Sequence, residues 1–141
     1  MMLRYTLLHP EILAALGSAG HGSQVLIADG NYPFTTGSQA LARRVYLNLA
    51  PGKLSCTDVL AALADAIPIE AAHVMVPDSG VEPTIFAEFR TIIPDVPLQH
   101  VARFPFYDAA RGSDVTLVIA TGEQRVYANI LLTIGVVPPP A

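Results

Sequence analysis

Apolar and polar positions along this chain fall into short blocks, and the period switches repeatedly between that of a helix and that of a strand. After His9-Pro10-Glu11, residues Ile12, Leu13 and Leu16 recur at helical spacing, with Ala19 continuing the stripe. Pro10 suits the first helical position and Glu11 the first turn. Gly17 and Gly20 close the segment. Gln24 to Ala28 is a short apolar run that fits one buried strand. From Arg43 to Leu49 the chain alternates, Val45, Leu47 and Leu49 against Arg44, Tyr46 and Asn48, as a half-exposed strand does. Pro51-Gly52 marks a turn.

Ser55 to Ala66 is the clearest helix. Ser55 can cap it, Asp58 stands three residues on, and Val59, Leu60, Leu63 and Ile67 form the apolar stripe. Ala72 to Val76 predicts a strand ended by Pro77. Pro83 opens a further helix with Ile85, Phe86, Phe89 and Ile92 on one side. Leu98 to Ala102 predicts a strand, and Arg103 to Ala110 passes from a strand end into a short helix. Val115 to Ala120 is continuously apolar, as a strand buried on both faces is. Gly122-Glu123 turns the chain, and Val126 to Ile134 predicts the last strand. Strands alternating with helices indicate an α/β fold. We expect a single domain over residues 1–137, with a largely parallel central sheet and helices on both faces, and a short tail at 138–141.

Composition changes the picture in one respect. Hydrophobic residues make up 52% of the 141-residue chain and charged residues 14%, against about 25% charged in an average soluble domain. A surface so short of charge is expected in a membrane or against other subunits. The apolar runs stop well short of the ~20 residues a spanning helix needs, so burial between subunits, and hence an oligomer, is the expectation. The net charge of −4, with basic residues scattered, argues against a nucleic-acid surface. His9, Pro10 and Glu11 interrupt the N-terminal apolar stretch where a secretion signal needs an unbroken core. Cys56 is the single cysteine, which excludes an internal disulfide and fits a reducing cytoplasm.

The candidate chemistry flanks the first strand. Gly20-His21-Gly22-Ser23 precedes it and Asp29-Gly30-Asn31-Tyr32-Pro33 follows it. An imidazole and a carboxylate around one short element are candidate acid–base groups. A strand rises about 3.3 Å per residue, so the two can meet only if the chain folds back, which the glycines permit. The plain readings are that His21 is a loop residue and that Asp29 shapes a turn through its own backbone bonds. The other histidines suggest less. His9 stands at a helix start, and His73 and His100 fall in strands with no metal-binding spacing around them.

Gly20-His21-Gly22, Asp29-Gly30-Asn31-Tyr32-Pro33, the string RFPFY from Arg103, and Tyr127-Ala128-Asn129 come in the order found in the D-ribose pyranase / L-fucose mutarotase (RbsD/FucU) family. The chain resembles that family over nearly its whole length, including the N-terminal Pro-Glu helix and the Thr121-Gly122-Glu123 turn. The resemblance implies a cytoplasmic isomerase that interconverts forms of a free monosaccharide without metal or cofactor. It also implies a ring-shaped homo-oligomer, often a decamer, with sugar sites near subunit contacts. Arg103 and RFPFY look like the fucose branch, and Tyr127-Ala128-Asn129-Ile130 looks equally like the ribose branch. Ser23 departs from the usual aspartate or threonine, which bears on the orientation of His21 and on the sugar that fits.

A sugar hemiacetal changes anomer by opening its ring. The ring oxygen gains a proton, the anomeric hydroxyl loses one, and closure reverses both. On the resemblance, His21 is the proton donor and acceptor, and Tyr127 a second hydroxyl for proton transfer. Asp29 holds sugar hydroxyls or orients the imidazole, and Arg103 donates to hydroxyls or to the opened carbonyl. Asn129 offers a donor and an acceptor, and Tyr32 a pocket wall. Arg103 could equally be an interface ion-pair residue. Tyr127 and Asn129, two apart on an expected strand, would share one face, as a site or an interface requires.

Overall fold

The computed structural model describes residues 2–141. Ten elements follow in order: α1 (Pro10–Ser18), β1 (Gln24–Ala28), β2 (Arg43–Tyr46), α2 (Cys56–Ala66), β3 (Ile69–Val76), α3 (Ile85–Ile92), β4 (Leu98–Ala102), α4 (Arg103–Ala110), β5 (Val115–Ala120) and β6 (Ile130–Ile134). Local chemistry accounts for the helix starts. The His9 ring accepts from the Ile12 N–H at the head of α1. At α2, Ser55 and Asp58 form a reciprocal capping box, so two end donors are satisfied at once. α3 begins two residues after Pro83, with Thr84 as its cap residue.

The strands form one sheet in the order β2-β5-β1-β6-β3-β4. β2, β5 and β1 are mutually parallel, as are β3 and β4. Only β6 is reversed, antiparallel to both β1 and β3. The fold is therefore the expected α/β domain with a largely parallel sheet. Its apolar faces alternate residue by residue along β1. Val25 and Ile27 pack with α1, α2 and α3 through Ile12, Leu60 and Phe86, while Leu26 and Ala28 pack with α4 through Phe106 and Ala110.

The reversed strand sets up everything that follows. The carboxyl ends of the five other strands lie at one edge, and the amino end of β6 joins them there. The loop 121–129 stays at that edge between β5 and β6. The opposite edge gathers the approach to β1, the start of β3 and the end of β6.

Three strand boundaries differ from the sequence expectation. β2 ends at Tyr46 rather than Leu49, although the Leu47 N–H still bonds to the Ala120 carbonyl at 2.8 Å. β3 starts at Ile69, earlier than Ala72, because β6 offers it an antiparallel partner. β6 starts at Ile130 and not at Val126. Tyr127 has φ 54°, which no strand accommodates. The Ala128 N–H bonds to the Asp29 carboxylate instead of to a neighbouring strand. Tyr127 and Asn129 thus sit in a loop, and the shared-face reasoning for them does not apply.

Candidate active site

Asp29 leaves the carboxyl end of β1 and is 3% exposed. Its Oδ1 accepts from the Asn31 N–H at 3.0 Å and its Oδ2 from the Ala128 N–H at 3.2 Å. Its own N–H donates to Asn129 Oδ1 at 2.7 Å. One carboxylate therefore ties the loop after β1 to the loop before β6. Burial pushes the Asp29 carboxyl above the usual carboxylate range, against the pull of these N–H donors and with a small push from nearby Glu123.

A cleft of about 170 Å³ opens over this junction. Asp29, Asn31 and Tyr32 line it from the β1 side, Met75 from the end of β3, and Arg103 and Tyr107 from α4. Val126, Tyr127 and Asn129 complete it from the loop before β6. Every contributing element reaches the same sheet edge, where ligand sites of open α/β sheets lie. The Tyr32 ring is buried and meets Tyr107 edge-on at 5.4 Å. Its hydroxyl donates to the Gly37 carbonyl at 2.5 Å, and burial pushes its pKa upward. The phenol is thus a fixed wall rather than a proton carrier. Arg103 is held by Tyr107, its Nε donating to Tyr107 Oη at 3.2 Å, and this bond raises the guanidinium further above its ordinary value.

Beneath the cleft a buried polar layer fixes the edge. Gly30 donates to the Glu123 carbonyl at 2.9 Å, and a side chain at Gly30 would begin only 3.0 Å from that oxygen. Burial alone would raise the Glu123 pKa, but hydrogen bonds from Arg125, one from Nη2 at 2.9 Å, hold it below its ordinary value. Arg125 also pairs with Glu88 on α3. Thr121 Oγ1 donates to the Ala28 carbonyl at 2.7 Å, and Cys56 Sγ lies 3.4 Å away from that hydroxyl. Burial pushes the Cys56 thiol up to about 12, so it stays protonated near neutral pH.

His21 lies elsewhere in the same chain. The turn before β1 keeps it at the far edge, where the Gly22 N–H donates to the Ile134 carbonyl at 2.9 Å. Asp29, by contrast, meets Asn129 at the other end of β6. β1 between them spans about 16 Å, and the chain does not fold back as the flanking glycines had suggested. Asp29 therefore does not orient the imidazole of its own chain. His21 Nε2 instead stands 3.1 Å from both carboxylate oxygens of Glu70. Ser23 closes the turn beneath it: its N–H donates to the Gly20 carbonyl at 3.0 Å, and its Oγ accepts from the Gly20 N–H at 3.2 Å. His73 and His100 stand in β3 and β4, outside the cleft lining.

The structure thus brings Asp29, Tyr32, Arg103, Tyr127 and Asn129 into one cleft and leaves His21 outside it. Sequence reasoning missed Met75 and Glu70, and among the aromatic residues able to stack on a sugar it favoured Tyr32 over Tyr107, whereas both line the cleft. Met75 is the penultimate residue of β3, whose carboxyl end faces the site edge, and that position was a usable signal. Glu70 carries no local mark.

A small cleft at the carboxyl edge of an open α/β sheet, where a carboxylate, a guanidinium and a carboxamide stand among aromatic and apolar side chains, has the make-up of a small-molecule site. Residues 2–137 match the RbsD / FucU transport protein family, and the chain belongs to it. Fucose mutarotase of Bos taurus is 30% identical over 146 residues, covering 94% of this chain and 92% of that protein. D-ribose pyranase of Bacillus mycoides (strain KBAB4) is 32% identical over 140 residues, covering 96% and 99%. The fucose mutarotase of Streptococcus pneumoniae, solved in complex with L-fucose, superposes with a TM-score of 0.83 at 23% identity, covering 98% of this chain and all of that one. Among the described residues, no helix is long and apolar enough to cross a membrane.

Proposed function

We propose that this protein is a monosaccharide mutarotase, an isomerase that interconverts the anomers of a free sugar by acid–base ring opening and closure, with L-fucose as the substrate. The observation that carries the reading is the cleft itself. A buried carboxylate, a guanidinium, a phenol and a carboxamide converge on about 170 Å³, well below the volume of a typical pocket for a drug-sized ligand. Relatives named for fucose mutarotation and for ribose pyranase activity share this chain's length. The second reading is a D-ribose pyranase, favoured by Tyr127-Ala128-Asn129. A non-catalytic sugar-binding accessory protein is the alternative outside the enzymes.

In this reading Asp29 accepts from sugar hydroxyls and Asn129 offers its remaining amide valences. Arg103 and Tyr107 flank the opened carbonyl, and Tyr127 passes a proton. His21 is the main proton donor and acceptor, and it reaches a cleft across a subunit contact, because its own chain's cleft is a strand length away. Exposed Tyr46, Leu49 and Phe104 support burial against further copies. The same proposal places residues 1–137 in one sugar-handling domain, with 138–141 as a tail, in a cytoplasmic homo-oligomer, a decamer as the resemblance implies.

Saturation-transfer NMR on fucose, ribose and galactose tests the reading directly. Accelerated anomer exchange that is lost in His21→Ala and kept in His73→Ala supports it. Sugar binding without faster exchange supports the accessory protein and overturns the enzyme.

A further inference from the structure

At the edge of the sheet opposite the cleft, the fold builds a small device around one exposed ion pair. The pairing of β3 with β6 slips between Ile69 and Ala71, so Glu70 sits on a bulge. Bulges re-aim a side chain out of the ordinary alternation. Gly135, just past β6, leaves space beside it: a side chain there would begin 3.3 Å from the Glu70 Cβ. Gly22, at φ 86°, clips the His21 turn to the last residue of the same strand. The outcome is His21 Nε2 equidistant, at 3.1 Å, from Glu70 Oε1 and Oε2.

An exposed pair of this kind contributes about 0–1 kcal/mol to folding. The His21 side chain is 60% exposed and that of Glu70 45%. Stability therefore does not account for a bulge and two glycines converging on it. Proton chemistry does. A carboxylate accepting from Nε2–H fixes the neutral ring in one tautomer, with the lone pair on Nδ1. The aspartate of a serine protease triad fixes the tautomer and orientation of its histidine through the same kind of contact.

We infer that Glu70 is the positioning residue of the acid–base histidine: it holds the Nε2–H tautomer of His21 and leaves Nδ1 to exchange protons with the sugar. The inference rests on the mutarotase reading above. Glu70 does not touch substrate. It acts through His21.

The test uses full-length protein with selectively ¹⁵N-labelled histidine. Long-range ¹H–¹⁵N spectra report the tautomer of the neutral ring, and saturation transfer reports anomer exchange. In the wild type, His21 is expected as the Nε2–H form. In Glu70→Ala it becomes a mixture, kcat falls about 10–100-fold, less than the full worth of an acid–base group of about 10²–10⁴, and KM stays within about twofold. Glu70→Gln, which keeps an acceptor oxygen without the charge, recovers part of the loss. His21→Ala/Glu70→Ala is no slower than His21→Ala alone.

An Nδ1–H tautomer in the wild type overturns the inference. So does a Glu70→Ala protein with unchanged tautomer, whether its exchange is intact or lost together with assembly. If the wild type itself does not accelerate exchange, the mutarotase reading fails. Wild-type exchange that Glu70→Ala leaves untouched defeats the inference alone.

Discussion

The two ends of β1 carry the two halves of the candidate chemistry and are built on opposite principles. At the carboxyl end, Asp29 is buried, accepts from two backbone N–H groups and ties loops far apart in sequence. Its bonds hold the fold and the cleft at once. At the amino end, His21 and Glu70 stand exposed, and their contact adds little to the fold. A group that gathers ligand hydroxyls gains from rigidity and burial. A group that must hand a proton across a subunit contact gains from being presented outward in a fixed orientation. On the mutarotase proposal each end needs the other, and the length of β1 keeps the two apart within one chain.

The strongest way to break this comparison is to separate the ends onto different chains. His21→Ala should lower exchange by about 10²–10⁴-fold while leaving sugar binding intact. Asp29→Asn should weaken binding, because an amide cannot accept from both N–H donors. Each variant alone is expected to be nearly inactive. Unfolded together and reassembled in equal amounts, they should recover roughly a quarter of wild-type exchange, because a quarter of the subunit contacts then join an intact His21 to an intact cleft. No recovery on mixing would mean that the two groups do not cooperate across a contact.

Stability sharpens the same contrast. Asp29→Ala strips acceptors from the Asn31 and Ala128 N–H groups and should cost about 2–4 kcal/mol in urea denaturation. Glu70→Ala should cost under about 1 kcal/mol. Equal costs at the two ends would remove the distinction between a structural carboxylate and a presented one.

What the sequence made legible follows from how local each cause is. β1 and α2 were readable to within a residue, because a buried apolar run and a Ser55–Asp58 capping box carry their own signals. The start of β6 was not. Its boundary is decided by Asp29, a hundred residues away in the chain, which takes the Ala128 N–H from any ladder. Grouping Asp29, Arg103, Tyr127 and Asn129 came from a family resemblance, and the reversal of β6 is the physical reason they meet. Seating His21 beside Asp29 underrated a straight strand between them. Glu70 was invisible because its orientation arises from a pairing slip with β6, and slips leave no trace in an apolar pattern.

Acid titration should set the two carboxylates of the cleft edge against each other. Arg125 holds Glu123 below its ordinary 4.5, so the stability it gives is complete above that value and is lost as pH falls through the folded-state pKa. Glu123→Gln should therefore be less stable than the wild type by about 1 kcal/mol at neutral pH, with the gap closing in acid below 4.5. Asp29 has the opposite sign. Burial raises its pKa above 3.8, so its contribution is most favourable below that value and declines as pH rises through the folded-state pKa. Relative to the wild type, Asp29→Asn should gain stability with rising pH. Parallel trends in the two variants would show that the Glu123 and Asp29 environments are alike.

The smallest expected effect is at Gly135. An alanine there needs no unusual backbone angle, and its methyl carbon would begin 3.3 Å from the Glu70 Cβ, tight enough to displace that side chain by a few tenths of an ångström. Removing a glycine also reduces the freedom of the unfolded chain, worth about 0.4–1 kcal/mol in favour of the fold. The two terms oppose each other, so the denaturation midpoint of Gly135→Ala should barely move. Anomer exchange should nevertheless slow about threefold, equivalent to about 0.6 kcal/mol in the barrier, because the displaced carboxylate no longer sits squarely on His21 Nε2. A protein that keeps full exchange with this alanine in place would show that the imidazole tolerates a looser hold than the paired 3.1 Å contacts suggest.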